Sequence, residues 1–215
     1  MHGFDQKPRT ACSRIRAALE ASGCVREISP EFGRMARALA ASKPAGTFLC
    51  IGEGAGEIGA WILDGMDHSS GLVVLVQDRC EAAVLERELD RELRASVRLQ
   101  DAASFLIDVH AHRFDLIVDL ISDEHAKAVR LGLGLLGAGG AYLAPHLGSL
   151  SHEIFTRCAR VPNEQRAPLE PDDFEVARLG DRLDSLIIVR RTGTNSTEAS
   201  FEVGDPLATS RGHCQ

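Results

Sequence analysis

The sequence predicts an α/β protein with a doubly wound, mostly parallel seven-stranded sheet, a C-terminal antiparallel hairpin and helices ahead of the first strand. Three observations carry this. A short apolar strand, Thr47 to Ile51, runs directly into closely spaced glycines and an apolar helix start. Strand and helix patterns then alternate regularly as far as Ala144, the order that right-handed crossovers turn into a parallel sheet with helices on both faces. Finally, two apolar runs, Phe174 to Leu179 and Leu183 to Val189, are separated only by Gly180-Asp-Arg182, the spacing of a hairpin.

Taken in order, the apolar spacing from Cys12 to Ser22 fits a short amphipathic helix, and Ser29-Pro30-Glu31 opens a second, with Ser29 as N-cap and Pro30 in the first turn. After strand one, a helix spans about Gly56 to Met66, and Gly71 precedes strand two, Leu72 to Gln77. The helix from Cys80 to Leu93 directs Ala83, Val84, Leu85, Leu89 and Leu93 inward and its charges outward. Strand three is Val97 to Gln100, and a brief helix follows Asp101-Ala102-Ala103. Phe114 to Leu120 reads as a buried parallel strand, and Asp123 and Glu124 open a helix that runs to Leu136. Gly137-Ala-Gly-Gly140 turns the chain into strand five, Ala141 to Ala144. A helix over Ser151 to Ala159 and a Pro- and acid-rich connection, Pro162 to Asp173, lead to the hairpin. Three segments follow: a helical arm or lid over 1–45, the nucleotide-binding domain over 46–191, and a polar tail over 192–215 whose composition favours disorder.

Composition narrows the function. With 215 residues, 44% of them hydrophobic, the chain can bury one sizeable core. A formal charge of −7 argues against general nucleic-acid binding, which needs clustered Lys and Arg. Six scattered cysteines without a C-x-x-C pair suggest free thiols in a reducing cytoplasm rather than a zinc ribbon or disulfide framework. No stretch reaches the roughly 20 apolar residues of a membrane span, and the N-terminus has no apolar signal core. The protein is therefore expected to be soluble and cytoplasmic.

The glycines admit two registers. Gly54-Ala-Gly56-Glu-Ile-Gly59 matches G-x-G-x-x-G, with Asp78 placed as a ribose-binding acid, which by itself suggests NAD. The strand, however, ends at Gly52, and Gly52-x-Gly54-x-Gly56 fits the turn better. In that register the chain resembles the class I S-adenosylmethionine-dependent methyltransferases, a Rossmann-like fold, and within them the small O-methyltransferases of the catechol and caffeoyl-CoA type. The likeness runs over about residues 28 to 190 and rests on the shared order of its parts. These are Ile28-Ser-Pro-Glu-Phe-Gly33 ahead of the glycine loop, Gly71 to Asp78 as strand two, Asp101-Ala102 beside the adenine, and Phe114 to Asp119 as strand four. Leu135 to Tyr142 and Arg178 to Leu183 match the passage into strand five and the closing turn.

The resemblance implies S-adenosylmethionine as cofactor, a small-molecule methyl acceptor, no nucleic-acid or membrane partner, and a homodimer. The implied cofactor-binding residues are Gly52, Glu53, Gly54, Gly56, Gln77, Asp78, Asp101, Ala102 and Asp119. Three family positions differ: a strand-one acid falls on Cys50, a Ser or Thr after the loop on Ile58, and the ribose-binding acid on Gln77, beside Asp78. Metal-dependent members hold magnesium or calcium on the strand-four Asp and an Asp-Asn pair after strand five. Here Asp119 is present but the pair falls on Ala144-Pro145, so no catalytic metal is expected.

Methyl transfer needs positioning of the acceptor and removal of its proton. Asp119, His125 and His146 follow strands four and five, at the sheet edge where such folds bind ligands, and are the candidate bases. His110 and His112, two apart in a loop, lack further metal ligands. Three functions follow: an O-methyltransferase acting without a metal, a degenerate relative serving as a binding or scaffold protein, and an NAD-dependent dehydrogenase using Gly54, Gly56 and Gly59.

Overall fold

Phe48, Leu49, Cys50 and Ile51 are all wholly buried, which puts the first strand inside the sheet with packing on both faces. The computed structural model describes residues 10–24, 26, 28–121, 125–145, 171–179 and 185–192. Helices α1 (Ala11–Ala21) and α2 (Pro30–Ala41) precede β1 (Thr47–Gly52), α3 (Ala55–Leu63), β2 (Gly71–Val76), α4 (Arg79–Leu89), β3 (Ala95–Leu99) and α5 (Ala102–Asp108). The chain continues through β4 (Phe114–Leu120), α6 (His125–Leu135), β5 (Leu136–Pro145), β6 (Phe174–Leu179) and β7 (Ser185–Arg190). The seven strands lie in the order β3-β2-β1-β4-β5-β7-β6. Strands β1 to β5 pair in parallel, and β7 pairs antiparallel with both β5 and β6. This is the fold that the alternation and the terminal hairpin predict.

Because side chains alternate along a strand, the sheet divides two cores. Phe48, Cys50, Leu72, Val74, Leu116 and Val118 join α1, α2, α3 and α4 on one face. Leu49, Ile51, Leu75, Ile117 and Tyr142 join α5 and α6 on the other. Caps fix the helix starts: Thr10 Oγ1 accepts from Ser13 N at 3.2 Å and Ser29 Oγ from Phe32 N at 3.1 Å. Helix α1 is also held from afar, since the Asp64 carboxylate at the end of α3 accepts from Ala11 N and Cys12 N at 2.9 and 3.2 Å. Gly33 lets α2 approach α3, because a Cβ there would lie 2.4 Å from the Trp61 indole nitrogen.

Several sequence expectations change. Helix α4 stops at Leu89 with Asp90 as C-cap, so Leu93 is 98% exposed rather than inward, and Ala82 instead of Ala83 faces the core. Helix α3 ends at Leu63 rather than Met66, and β3 begins at Ala95. Gly137 to Gly140 are not a free turn: they lie within β5 as a bulge, where the pairing moves from Phe114↔Leu136 to Leu116↔Ala141. Gly139 takes φ 74°, and a Cβ on Gly140 would lie 2.8 Å from the Phe114 carbonyl oxygen. The helix expected over 151–159, the connection up to residue 170, the hairpin turn at 180–182 and the tail beyond residue 192 lie outside the described residues. Among the described residues, no helix is long and apolar enough to cross a membrane.

Candidate functional site

The turn after β1 has the backbone that the sequence register demands. Gly52 and Gly54 take φ of 101° and 86°, whereas Gly56 and Gly59 sit inside α3 with no positive φ. Each glycine is needed for a different reason. A Cβ on Gly52 would lie 2.6 Å from the Leu120 carbonyl carbon, so the turn passes against the end of β4. On Gly56 it would lie 2.9 Å from Glu81 Oε1, and on Gly59 2.9 Å from Val74, so these two let α3 settle on α4 and β2. Gly59 is thus a packing glycine, and Gly52 with Gly54 forms the turn.

Beside this turn, at the carboxyl ends of β1 and β2, lies a cavity of about 680 Å³, the position and size expected of a ligand site in an open α/β sheet. Gly52, Glu53, Gln77 and Asp78 line it from the strand ends, Cys80 and Glu81 from the start of α4. Ser22, Gly23, Cys24 and Arg26, from the connector between α1 and α2, form the facing wall. Its charge is mainly negative: Glu53, Asp78 and Glu81 stand against Arg26, whose guanidinium pairs with Glu53 at 3.0 Å.

Glu81 is the site residue that sequence reasoning missed. Its Oε1 accepts from Gly56 N at 3.0 Å, so a nearly buried carboxylate already occupies one amide at the N-terminus of α3. Burial pushes the Glu81 carboxyl above the usual range, and the Gly56 amide partly offsets this. The available signal was its place three residues after the N-cap Asp78, a position where Glu commonly serves a helix start; here it serves a neighbouring helix instead.

The remaining candidates separate spatially. Asp78 lines the cavity while one of its oxygens accepts from Glu81 N at 2.7 Å as the α4 cap. Asp101 caps α5, accepting from Ser104 N at 2.9 Å, and Ala102 is buried in the second core. Asp119 is buried at the end of β4; Oδ1 accepts from Ile121 N at 2.9 Å and Oδ2 from the hydroxyl of Tyr142, which on the neighbouring β5 pairs with Ile117, two residues before Asp119. His125 begins α6, its side chain outside the described residues, and His146 follows the end of β5, also outside them. His110 lies beyond α5 with its ring nitrogen 3.2 Å from the Ile107 carbonyl oxygen. Cys50 and Ile58, where the resemblance would place an acid and a Ser or Thr, are wholly buried in the first core, and burial drives the Cys50 thiol far above its usual pKa. Among the described residues, one group of potential metal ligands, Cys24, Asp78 and Cys80, gathers its ligand atoms within 4.8 Å, away from Asp119 and the end of β5.

No protein-family model matches the sequence, and no curated protein matches it significantly. Solved structures do match the fold. An O-methyltransferase from Bacillus cereus in complex with SAH aligns with a TM-score of 0.66 at 18% identity, over 87% of this chain and 94% of its own. A cofactor-bound protein from MTB gives a TM-score of 0.67 at 18% identity, over 88% and 94%. The O-methyltransferase TomG from Streptomyces achromogenes, involved in tomaymycin synthesis and in complex with SAM, gives 0.63 at 16%, over 88% and 93%. The chain therefore shares the Rossmann-like fold of these solved structures over 87–88% of its length.

Proposed function

We propose that this protein is an S-adenosylmethionine-dependent methyltransferase that methylates a hydroxyl of a small molecule without a catalytic metal. The observation that carries the cofactor assignment is the acidic cavity at the glycine turn, with the Glu81 carboxylate already on the Gly56 amide. A dinucleotide would bring its pyrophosphate to the N-terminus of α3, where Glu81, Glu53 and Asp78 would repel it. A sulfonium-bearing amino acid attached to adenosine carries two positive centres and one carboxylate, and suits the same wall. The fold's neighbours, in complexes with SAH and SAM, support this reading.

When bound, the cofactor supplies an electrophilic methyl group. Of this chain's residues, Gln77 and the cavity-facing side of Asp78 would hold the ribose hydroxyls, Gln77 through its amide. Glu53 would take the amino group that the buried Cys50 cannot reach, and Gly52 and Gly54 allow the close backbone approach. Asp101 and Ala102 would flank the adenine at the start of α5. Asp119, already committed to Ile121 N and Tyr142, would position the strand-four end. His146 and His125, after β5 and at the head of α6, would take the acceptor's proton. The helices of 1–45 would cover the acceptor, in a homodimeric cytoplasmic enzyme.

A second reading, a binding or scaffold protein on the same fold, is favoured by the complete burial of Cys50 and Ile58, which removes two family contacts to the cofactor. Calorimetric titration with S-adenosylmethionine, S-adenosylhomocysteine and NAD decides among these. Micromolar binding of the first two is expected, weakened in Glu53→Ala and Gln77→Ala. NAD binding alone would restore the dehydrogenase, and silence from all three would favour the scaffold.

A further inference from the structure

Two thiols 56 positions apart meet on the cavity wall: Cys24 Sγ lies 2.7 Å from Cys80 Sγ. That is inside the separation at which two non-bonded sulfur atoms rest. Cys80 stands in the first turn of α4 and is exposed; Cys24 belongs to the connector between α1 and α2 and is half-buried. Both sulfurs also lie near the Ser22 carbonyl oxygen, at 3.4 and 3.8 Å. The other described cysteines are unsuited to oxidation, since Cys12 and Cys50 are buried.

We propose that Cys24 and Cys80 form a reversible disulfide that staples the α1–α2 connector to α4 across the wall of the cavity. With hydrogen peroxide as oxidant, the exposed Cys80 thiolate attacks one peroxide oxygen, giving a sulfenic acid and, after protonation, water. The Cys24 sulfur then attacks the Cys80 sulfur, the S–S bond forms, and hydroxide leaves to combine with the Cys24 proton as a second water. Two thiols and one peroxide thus yield one disulfide and two waters, and a dithiol reductant reverses the bond by exchange. The hydrogen bond to Cys80 and partial burial push the Cys24 thiol to about 11, so at neutral pH it is protonated and reacts second.

A shared metal ion with Asp78 fits less well. Two thiolates on one zinc, each at about 2.3 Å in tetrahedral geometry, stand roughly 3.7 Å apart, wider than the 2.7 Å here. Asp78 also already spends an oxygen on Glu81 N. The staple is placed to act on ligand exchange: it fixes the connector against the residues that would hold the ribose.

The test is peroxide treatment of the full-length native protein, followed by alkylation and peptide mass analysis. Loss of two hydrogens on a Cys24–Cys80 cross-linked peptide is expected, reversed by dithiothreitol and absent in Cys24→Ser and Cys80→Ser; both sites are accessible enough for the variants to fold. Full alkylation of both thiols after peroxide, or stoichiometric zinc that protects both, would overturn the proposal. A second readout rests on the proposed function: S-adenosylhomocysteine should dissociate at least threefold more slowly from the oxidised form. Equal rates would overturn the effect on exchange, whereas no binding by either form would count against the cofactor assignment and leave the thiol readout to decide the bond.

Discussion

Replacing Tyr142 by Phe removes a single hydroxyl from a fully buried ring whose shape is otherwise kept. That hydroxyl donates to Asp119 Oδ2, and Asp119 is itself 2% exposed, so bulk water is poorly placed to take over. Removing one partner of a buried hydrogen bond leaves the acceptor short of a donor, at a desolvation cost of about 1–3 kcal/mol. A loss of about 2 kcal/mol is therefore expected, which for a domain of this size lowers Tm by about 4–8 °C. The assay is urea unfolding of wild type, Tyr142→Phe, Asp119→Asn and the double variant. The two single losses should not add, with a coupling energy of about 1 kcal/mol or more, as for groups in direct contact. A Tyr142→Phe loss below about 0.5 kcal/mol, the range of inconsequential surface changes, or strict additivity would refute the view that this pair fixes the end of β4.

Two further outcomes are expected. Both positions have positive φ, but Gly52→Ala places a Cβ 2.6 Å from the Leu120 backbone, whereas Gly54→Ala meets side chains, the Ile28 tip at 2.8 Å and Arg26 Cβ at 3.3 Å. Gly52→Ala should cost about 2 kcal/mol or more and Gly54→Ala less; equal unfolding midpoints would contradict the turn. Glu57 is buried with one oxygen unpartnered among the described residues and Arg16 at 3.5 Å from the other, and burial raises its carboxyl pKa despite that cation. A carboxyl raised in the folded state contributes stability that is present below its unfolded pKa and lost as pH rises through the folded value. Wild type should therefore gain stability relative to Glu57→Gln as pH falls from 7 towards the ordinary carboxyl range, and a pH-independent difference in Tm would contradict this.

Much of the architecture is legible in the sequence because it rests on local periodicity. The four buried residues of β1, the Ser29-Pro30 helix start and the two terminal apolar runs each carry their own signal, and the structure follows them. The site is legible at the glycine turn and at the strand ends, where Glu53, Gln77 and Asp78 line the cavity. Gly52 and Gly54 are marked because positive φ favours glycine, but Gly59 serves packing alone, a distinction the spacing does not encode. Glu81 and Tyr142 are invisible for another reason: their partners, Gly56 and Asp119, lie on other elements and become neighbours only when α3 meets α4 and β4 meets β5. Leu93 misleads because apolar periodicity continues for a few residues after the helix has ended, as its exposure shows. The Cys24–Cys80 contact likewise depends on the α1–α2 connector folding back onto α4, which no pattern within either segment foretells.

The strand order has a consequence for how the chain is made. β1 pairs with β2 across one crossover, but its other partner is β4, with Phe48 opposite Leu116, roughly 70 residues later. During synthesis from the N-terminus, β1 and β2 can join early while one edge of β1, apolar on both faces, waits uncovered until residue 120 has emerged. Closing that gap is a long-range step and should dominate the refolding time. An interior strand is thus the first to appear, and it stays open on one side until β4 arrives, which makes the nascent β1 edge a point at which a chaperone would matter.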